Sequence, residues 1–257
     1  MTAVAQVEQR PVLWQLQISH YNEKVRWALD YKRIAHKRRS MLPGIHQLVV
    51  RRLAGTVLSP VLTIGDHRLA DSSAILQAIE ERWPEPCLIP ADADERERAL
   101  ELEDFFDEEL GPHIRRAVYW ELLPYPDVVI PLFTDGASRR SRALMRAGFP
   151  ILRVGMRRFM NIYAEPASHS REKTVAALDR LEEELGGGDY LVGDSFSIAD
   201  LTAASLFYPL ALPPELPYRS PVFDELPAGA REFLGALRER PGAQWVAEMY
   251  RRHRLPA

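Results

Sequence analysis

Cysteine is almost missing: Cys87 is the single one in 257 residues. That rules out an intramolecular disulfide, a cysteine-rich metal site and any two-thiol redox cycle, and it makes a reducing, cytoplasmic compartment the natural expectation. Long apolar runs are missing too. None approaches the ~20 residues that a membrane-spanning helix needs, and Met1–Pro11 lacks the apolar stretch of a signal peptide. Neither sign of charge dominates: 33 basic and 36 acidic side chains leave a net charge of -3. Nothing there favours nucleic acid or an anionic membrane as a partner. No internal repeat or low-complexity tract stands out. What remains is a folded-protein composition, 46% hydrophobic and 27% charged, with a length that suits one large domain or two ordinary ones. Twenty prolines cluster at Pro84–Pro90, Pro124–Pro131 and Pro209–Pro227, where they break up helices rather than build them.

The pattern at Val12–Ile18 alternates, with Trp14, Leu16 and Ile18 on one face and Gln15 and Gln17 on the other, as in a half-buried strand. Ser19-His20-Tyr21-Asn22 follows, and then Val25, Ala28 and Leu29 recur at helical spacing across Glu23–Lys32. His36–Met41 reads as a second strand. Its Lys37, Arg38 and Arg39 either guard a sheet edge or attract an anionic ligand. After a helix-like segment, Val61–Ile64, Gly65-Asp66 and His67–Ala70 read as a hairpin. Ile75, Ile79 and Trp83 then mark one face of a helix that ends at the Pro-rich link Trp83–Pro90. Beyond the link the strand signals stop. Helices are expected over 94–120, 137–164, 170–185, 198–210 and 228–250. The fold class is therefore α+β followed by all-α, with domains expected at 11–85 and 93–257.

Charge is split within the helical part. Glu95 to Glu109 holds eight acids against two basic residues, whereas Ala137 to Ala164 holds seven arginines and no acid. Two antiparallel helices of opposite charge, packed together, are the expected explanation. A basic amphipathic helix that meets a membrane or another partner is the alternative.

Four segments in this order resemble the glutathione S-transferase family. Ser19–Leu29 resembles the start of its first helix, with Lys24-Val25-Arg26 and Ala28-Leu29 matching best. Gly55-Thr56-Val57-Leu58-Ser59-Pro60-Val61-Leu62 resembles its loop into the third strand, which carries a cis-proline. Leu69-Ala70-Asp71-Ser72-Ser73-Ala74-Ile75 resembles its acid-serine motif, and Phe196-Ser197-Ile198-Ala199-Asp200 its helix-capping segment. The resemblance spans most of the chain and is thinnest between Trp120 and Glu165. It implies a thioredoxin-like first domain, glutathione as co-substrate, no metal, a small hydrophobic electrophile and a homodimer.

It also implies site residues. Ser72 would hold the γ-glutamyl carboxylate of glutathione at a helix N-terminus, where free N–H groups favour an anion, and Asp71 would hold the amine. Alternatively, Ser72 is a plain cap and Asp71 a first-turn charge. Pro60 is the candidate cis-proline, an ordinary trans turn being the alternative, and Ser59 would pair with the cysteinyl backbone. Most relatives carry an aliphatic residue where this chain has Ser59. Ser19 takes the position of the redox cysteine or active serine of relatives, and its hydroxyl would stabilise the thiolate. Asn22 takes the second position of that motif, so no mixed disulfide can form there. His20 stands where proline or an apolar residue is commoner. It hydrogen-bonds glutathione or substrate, or else faces solvent or packs locally. Ser197 and Asp200 read as a structural capping box. Tyr119, Trp120, Phe159 and Tyr163 are candidates to line an electrophile pocket, or are simply core. The implied activity is transfer of glutathione to an apolar electrophile. A non-catalytic binding module, or a glutathione-dependent isomerase or dehalogenase, would share the same site.

Overall fold

The computed structural model describes residues 10–254; the Met1–Pro11 stretch read for a signal peptide lies almost wholly outside them, as do residues 255–257. Among the described residues, every strand lies in the first third of the chain. Strand β1 (Val12–Gln15) pairs parallel with β2 (Lys37–Ser40) and antiparallel with β3 (Val61–Ile64), and β3 pairs antiparallel with β4 (His67–Ala70). The order is β2-β1-β3-β4, so the basic strand β2 is an edge strand. Helices α1 (His20–Tyr31), α2 (His46–Ala54) and α3 (Ser72–Arg82) alternate with the strands. This mixed sheet with helices, followed by an all-helical part, is the expected fold class.

Strand β1 differs from expectation in length and facing. It stops at Gln15, and Leu13 and Gln15 are the buried pair, while Trp14 sits under the Arg39 guanidinium on the other face. The reason is that Leu13 belongs to the core with Val25, Leu29, Ile75 and Ile79 of α1 and α3. A strand that commits Leu13 to that side must send Trp14 to the opposite one.

Helix α1 is buried on nearly all sides, charged residues included. Glu23 accepts from Arg26 Nε at 2.6 Å and from Arg254 Nε at 2.6 Å, joining α1 to the end of the chain. Lys24 donates to Asp107 at 2.5 Å, to Glu103 and to Ser73. The Pro-rich link is tied down from the C-terminal end of the same helix: Lys32 Nζ donates to the carbonyls of Trp83 and Pro86, each at 2.7 Å, and pairs with Glu80.

The helical part consists of α4 (Ala93–Phe105), a π turn (Phe106–Leu110), α5 (Gly111–Leu122), α6 (Pro126–Phe133), α7 (Arg139–Phe159), α8 (Ala164–Leu185), α9 (Ile198–Ala211), α10 (Ala228–Arg238) and α11 (Pro241–His253). The single helix expected over 94–120 is interrupted where Pro112, lacking an N–H, cannot continue the i→i−4 ladder. Gly111 is required at that break, since a Cβ there would come within 2.1 Å of the Tyr21 hydroxyl. Pro241 likewise splits the helix expected over 228–250 and opens α11. Helix α6 was not expected, and α8 begins at Ala164 rather than near 170. The Ser197–Asp200 capping box is present; burial pushes the Asp200 carboxyl up to about 6 against its hydrogen bonds from Leu191 and Ser197.

The charge split has a different cause from the one expected. Glu103 of α4 and Asp107 of the π turn pair with Lys24 of α1, Glu109 pairs with Lys173 of α8 and Glu101 with Arg98 of its own helix, while Arg146 of α7 reaches Asp127 of α6 at 2.9 Å. Helix α7 packs on α6, so the acidic and basic helices do not neutralise each other. Among the described residues, no helix is long and apolar enough to cross a membrane, and no cluster of His, Cys, Asp or Glu is suited to a metal ion.

Candidate functional site

The turn between β1 and α1 is held on every side. Leu16 O accepts from Ser19 N at 3.2 Å and Arg26 Nη1 at 3.3 Å, Gln17 O accepts from Arg26 Nη2 at 2.9 Å, and Ile18 O accepts from the Tyr208 hydroxyl at 2.6 Å. A loop whose carbonyls are all engaged is a rigid platform for the next residue. That residue is Ser19, the N-cap of α1, whose Oγ accepts the Asn22 N–H at 3.4 Å. A hydroxyl also carries one proton to donate, and among the described residues the Ser19 proton has no acceptor.

Asn22 is buried, and its amide is committed. Oδ1 accepts the Leu16 N–H at 3.1 Å, and Nδ2 donates to Ser59 Oγ at 3.2 Å. It ties the Ser19 turn to the Ser59–Pro60 loop and does not line the cavity described below. The Ser59–Pro60 peptide is cis, and the Val61↔Ala70 register sets Pro60 beside Asp71.

Asp71, not Ser72, caps α3. It takes φ 78°, and its Oδ1 accepts from Ser73 N at 3.0 Å and Ala74 N at 3.1 Å. A non-glycine residue at such a φ is strained by about 1–3 kcal/mol, which the cap partly offsets. Ser72 is the first helical residue, buried, and its hydroxyl donates to Asp107 Oδ1 at 3.4 Å. Burial pushes the Asp107 carboxyl upward and Lys24 opposes it. Asp71, Ser72 and Asp107 thus form an acidic rim at the start of α3. Asp107 was not among the expected site residues. Its only trace in the sequence was the acidic run from Glu95 to Glu109, read there as helix pairing.

His20 does not face solvent. It is 4% exposed, against Tyr21 and beside Gly111, and its Nε2 has no hydrogen-bond partner. Burial, with Arg115 and then Lys24 adding to it against a backbone hydrogen bond at Gly111, pulls its pKa down to about 3, so the ring is neutral.

Ser19, His20 and Ser59 open onto a cavity of about 340 Å³ between the two parts of the molecule. Pro60, Asp71 and Ser72 do not line it; they continue the same edge away from it. Helix α5 supplies Arg115, Val118 and Tyr119, α7 supplies Met156 and Phe159, and the Pro-rich loop supplies Tyr218. Burial pushes the Tyr119 phenol up to about 12, so it too is neutral. Of the four aromatic candidates, Tyr119 and Phe159 line the cavity. Trp120 packs against the core and Tyr163 lies under Arg157. Cys87 is exposed on the link between the two parts. Tyr208 and Arg115 could not be read from local sequence, because each reaches the site from a helix far along the chain.

The family model described as the glutathione S-transferase N-terminal domain matches residues 13–87, and the one described as its C-terminal domain matches 139–242. Among solved structures, the β-etherase LigF from Sphingobium sp. strain SYK-6 is similar, with TM-score 0.62, 19% identity, and coverage of 93% of this chain and 99% of that one. A glutathione S-transferase from Methylobacterium radiotolerans, in complex with glutathione sulfonate, gives TM-score 0.57 and 21% identity over 92% of this chain and 93% of that one. One from Xanthobacter autotrophicus Py2 gives 0.61 and 17% over 94% and 93%. At these identities the likeness is one of fold. Among curated proteins, none matches.

Proposed function

Because the chain belongs to the glutathione S-transferase family, we propose that it binds glutathione on the edge from Asp71 and Ser72 to Ser19 and passes the sulfur to an apolar acceptor in the cavity. The observation that carries the reading is the Ser19 hydroxyl: fixed at the N-terminus of α1, free to donate, and open to the cavity beside the cis Ser59–Pro60 peptide. The domain at 11–85 would hold glutathione and the domain at 93–257 the acceptor. Asp71, with Asp107 behind it, suits the amine of the γ-glutamyl group. The Ser72 N–H, and its hydroxyl once turned from Asp107, suit its carboxylate, since Asp71 already occupies the N–H groups of Ser73 and Ala74. Ser59 would pair with the cysteinyl backbone.

Glutathione supplies a nucleophilic sulfur that is mostly protonated near neutral pH. Ser19 would donate to that sulfur and, with the positive end of α1, favour the thiolate. The apolar walls would hold the acceptor carbon in line. A carbon–sulfur bond then forms as the leaving group departs with its electron pair, and positioning and thiolate stabilisation supply the rate gain. The β-etherase among the structural neighbours makes an ether one acceptor to assay.

The test is the ultraviolet absorbance of bound thiolate against pH. Ser19→Ala should raise the pKa of bound glutathione and leave its affinity nearly intact, because the hydroxyl favours only the charged form. Wild type that binds glutathione with no thiolate at neutral pH would leave a binding module and no transferase.

A further inference from the structure

We infer that Arg115 makes the cavity selective for acceptors that carry a carboxylate on an apolar frame; the inference rests on reading the cavity as the acceptor site. Arg115 lies one turn into α5 and faces the cavity beside His20. Its guanidinium sits 5.8 Å from the centre of the Tyr21 ring. Among the described residues no carboxylate pairs with it, and its Nε is buried without a hydrogen-bond partner.

The neighbouring arginines show how unusual that is. Arg26 also lines the cavity, but Glu23 neutralises it at 2.6 Å and the rest of its guanidinium holds the β1–α1 turn. Arg116, next along α5, donates to Met160 O at 3.0 Å and Ser170 Oγ at 2.8 Å. Of the three, only Arg115 both lines the cavity and makes no hydrogen bond or ion pair among the described residues. Buried polar groups in folded proteins are overwhelmingly satisfied, so one that is not points to a missing partner. A planar guanidinium is matched best by a carboxylate, which takes two parallel hydrogen bonds from it.

The walls agree. No aspartate or glutamate lines the cavity, so no fixed negative charge would repel an anion. His20 and Tyr119 are neutral and neither competes for nor cancels the Arg115 charge. Val118, Tyr119, Met156 and Phe159 give the rest of the ligand an apolar bed. Glutathione has carboxylates of its own, but its edge lies along Asp71, Ser72 and Ser59, outside helix α5.

Calorimetry with unreactive probes tests this without any turnover. The probes are 2-naphthoate, its methyl ester and glutathione, on wild type, Arg115→Gln and Arg115→Lys. Wild type should prefer 2-naphthoate to the ester. Arg115→Gln should weaken 2-naphthoate about tenfold or more, as for loss of a charged hydrogen-bond partner, while the ester and glutathione stay within about twofold. Arg115→Lys should fall between wild type and Arg115→Gln, since it keeps the charge and loses the paired geometry. Equal losses of naphthoate and ester, an unmoved naphthoate affinity, or a parallel loss of glutathione would each overturn the inference. Absence of the thiolate signal at Ser19, with carboxylate selectivity intact, would sink catalysis and leave Arg115 as the selector.

Discussion

Helix α1 carries charged and polar side chains at two places, and they are in opposite states. Along its body, Glu23, Lys24 and Arg26 are almost fully buried, and each is paired: Glu23 with Arg26 and Arg254, Lys24 with Glu103 and Asp107. At its N-terminus, the Ser19 proton and the His20 Nε2 are unpaired, and Arg115 of α5 faces them with a free charge. The same residue types thus mean different things. A buried charge whose partners are all present is a structural clasp, here between the first and second parts of the chain. A buried donor or acceptor left open beside a cavity is an incomplete hydrogen-bond set that a ligand completes.

The comparison breaks first, if it breaks, at Lys24. Lys24→Met leaves Glu103 and Asp107 without their buried cation and should cost about 3–5 kcal/mol of stability, as for other buried pairs that lose one partner. Urea unfolding reads this directly. A loss under about 1 kcal/mol would mean that the clasp is not what joins the two parts.

The next effect belongs to the open side. The folded pKa of His20 is lowered, from 6.5 to about 3, so the unfolded chain binds its proton more readily. Stability from the neutral ring is complete above pH 6.5 and is lost as pH falls from there toward 3. Between pH 7 and pH 5, wild type should therefore lose about 2 kcal/mol relative to His20→Gln, at 1.36 kcal/mol per pKa unit. Identical pH dependence in the two proteins would show that His20 charges freely in the folded state.

Asp71 sharpens the comparison, because it does both kinds of work. Asn caps helices as well as Asp does, so Asp71→Asn should keep stability within about 0.5 kcal/mol. It should weaken glutathione about tenfold through loss of the charge beside the amine. Calorimetry and thermal melts on one sample separate the two roles; unchanged glutathione affinity would make Asp71 a cap only. The smallest effect is expected at Cys87, exposed and remote from the cavity. Cys87→Ser should leave stability, glutathione affinity and the thiolate signal unchanged, and a lost signal would move the chemistry away from Ser19.

How much of this was legible depended on range. The hairpin at residues 61–70, the basic edge strand, the Ser197–Asp200 box and the Pro-rich link follow from neighbours a few residues apart, and the structure has them. The facing of β1 was misread. Alternation says which residues share a face, but only the helices that pack there decide which face is inside. The breaks at Pro112 and Pro241 were visible residues whose effect was underweighted against an apolar pattern running through them. His20 was left between ligand contact and solvent or local packing, because its environment is built by Gly111, Arg115 and Lys24, the first two far along the chain.

The sequence by itself determined the class of fold, since strand alternation, helix spacing and caps are local signals; the candidate glutathione edge came from the family resemblance of its segments. The tertiary structure alone decided which polar groups are satisfied. Whether Lys24, Asn22, His20 or Arg115 has a partner depends on side chains brought from tens of residues away. In a low-dielectric interior, that pairing separates a clasp from a site.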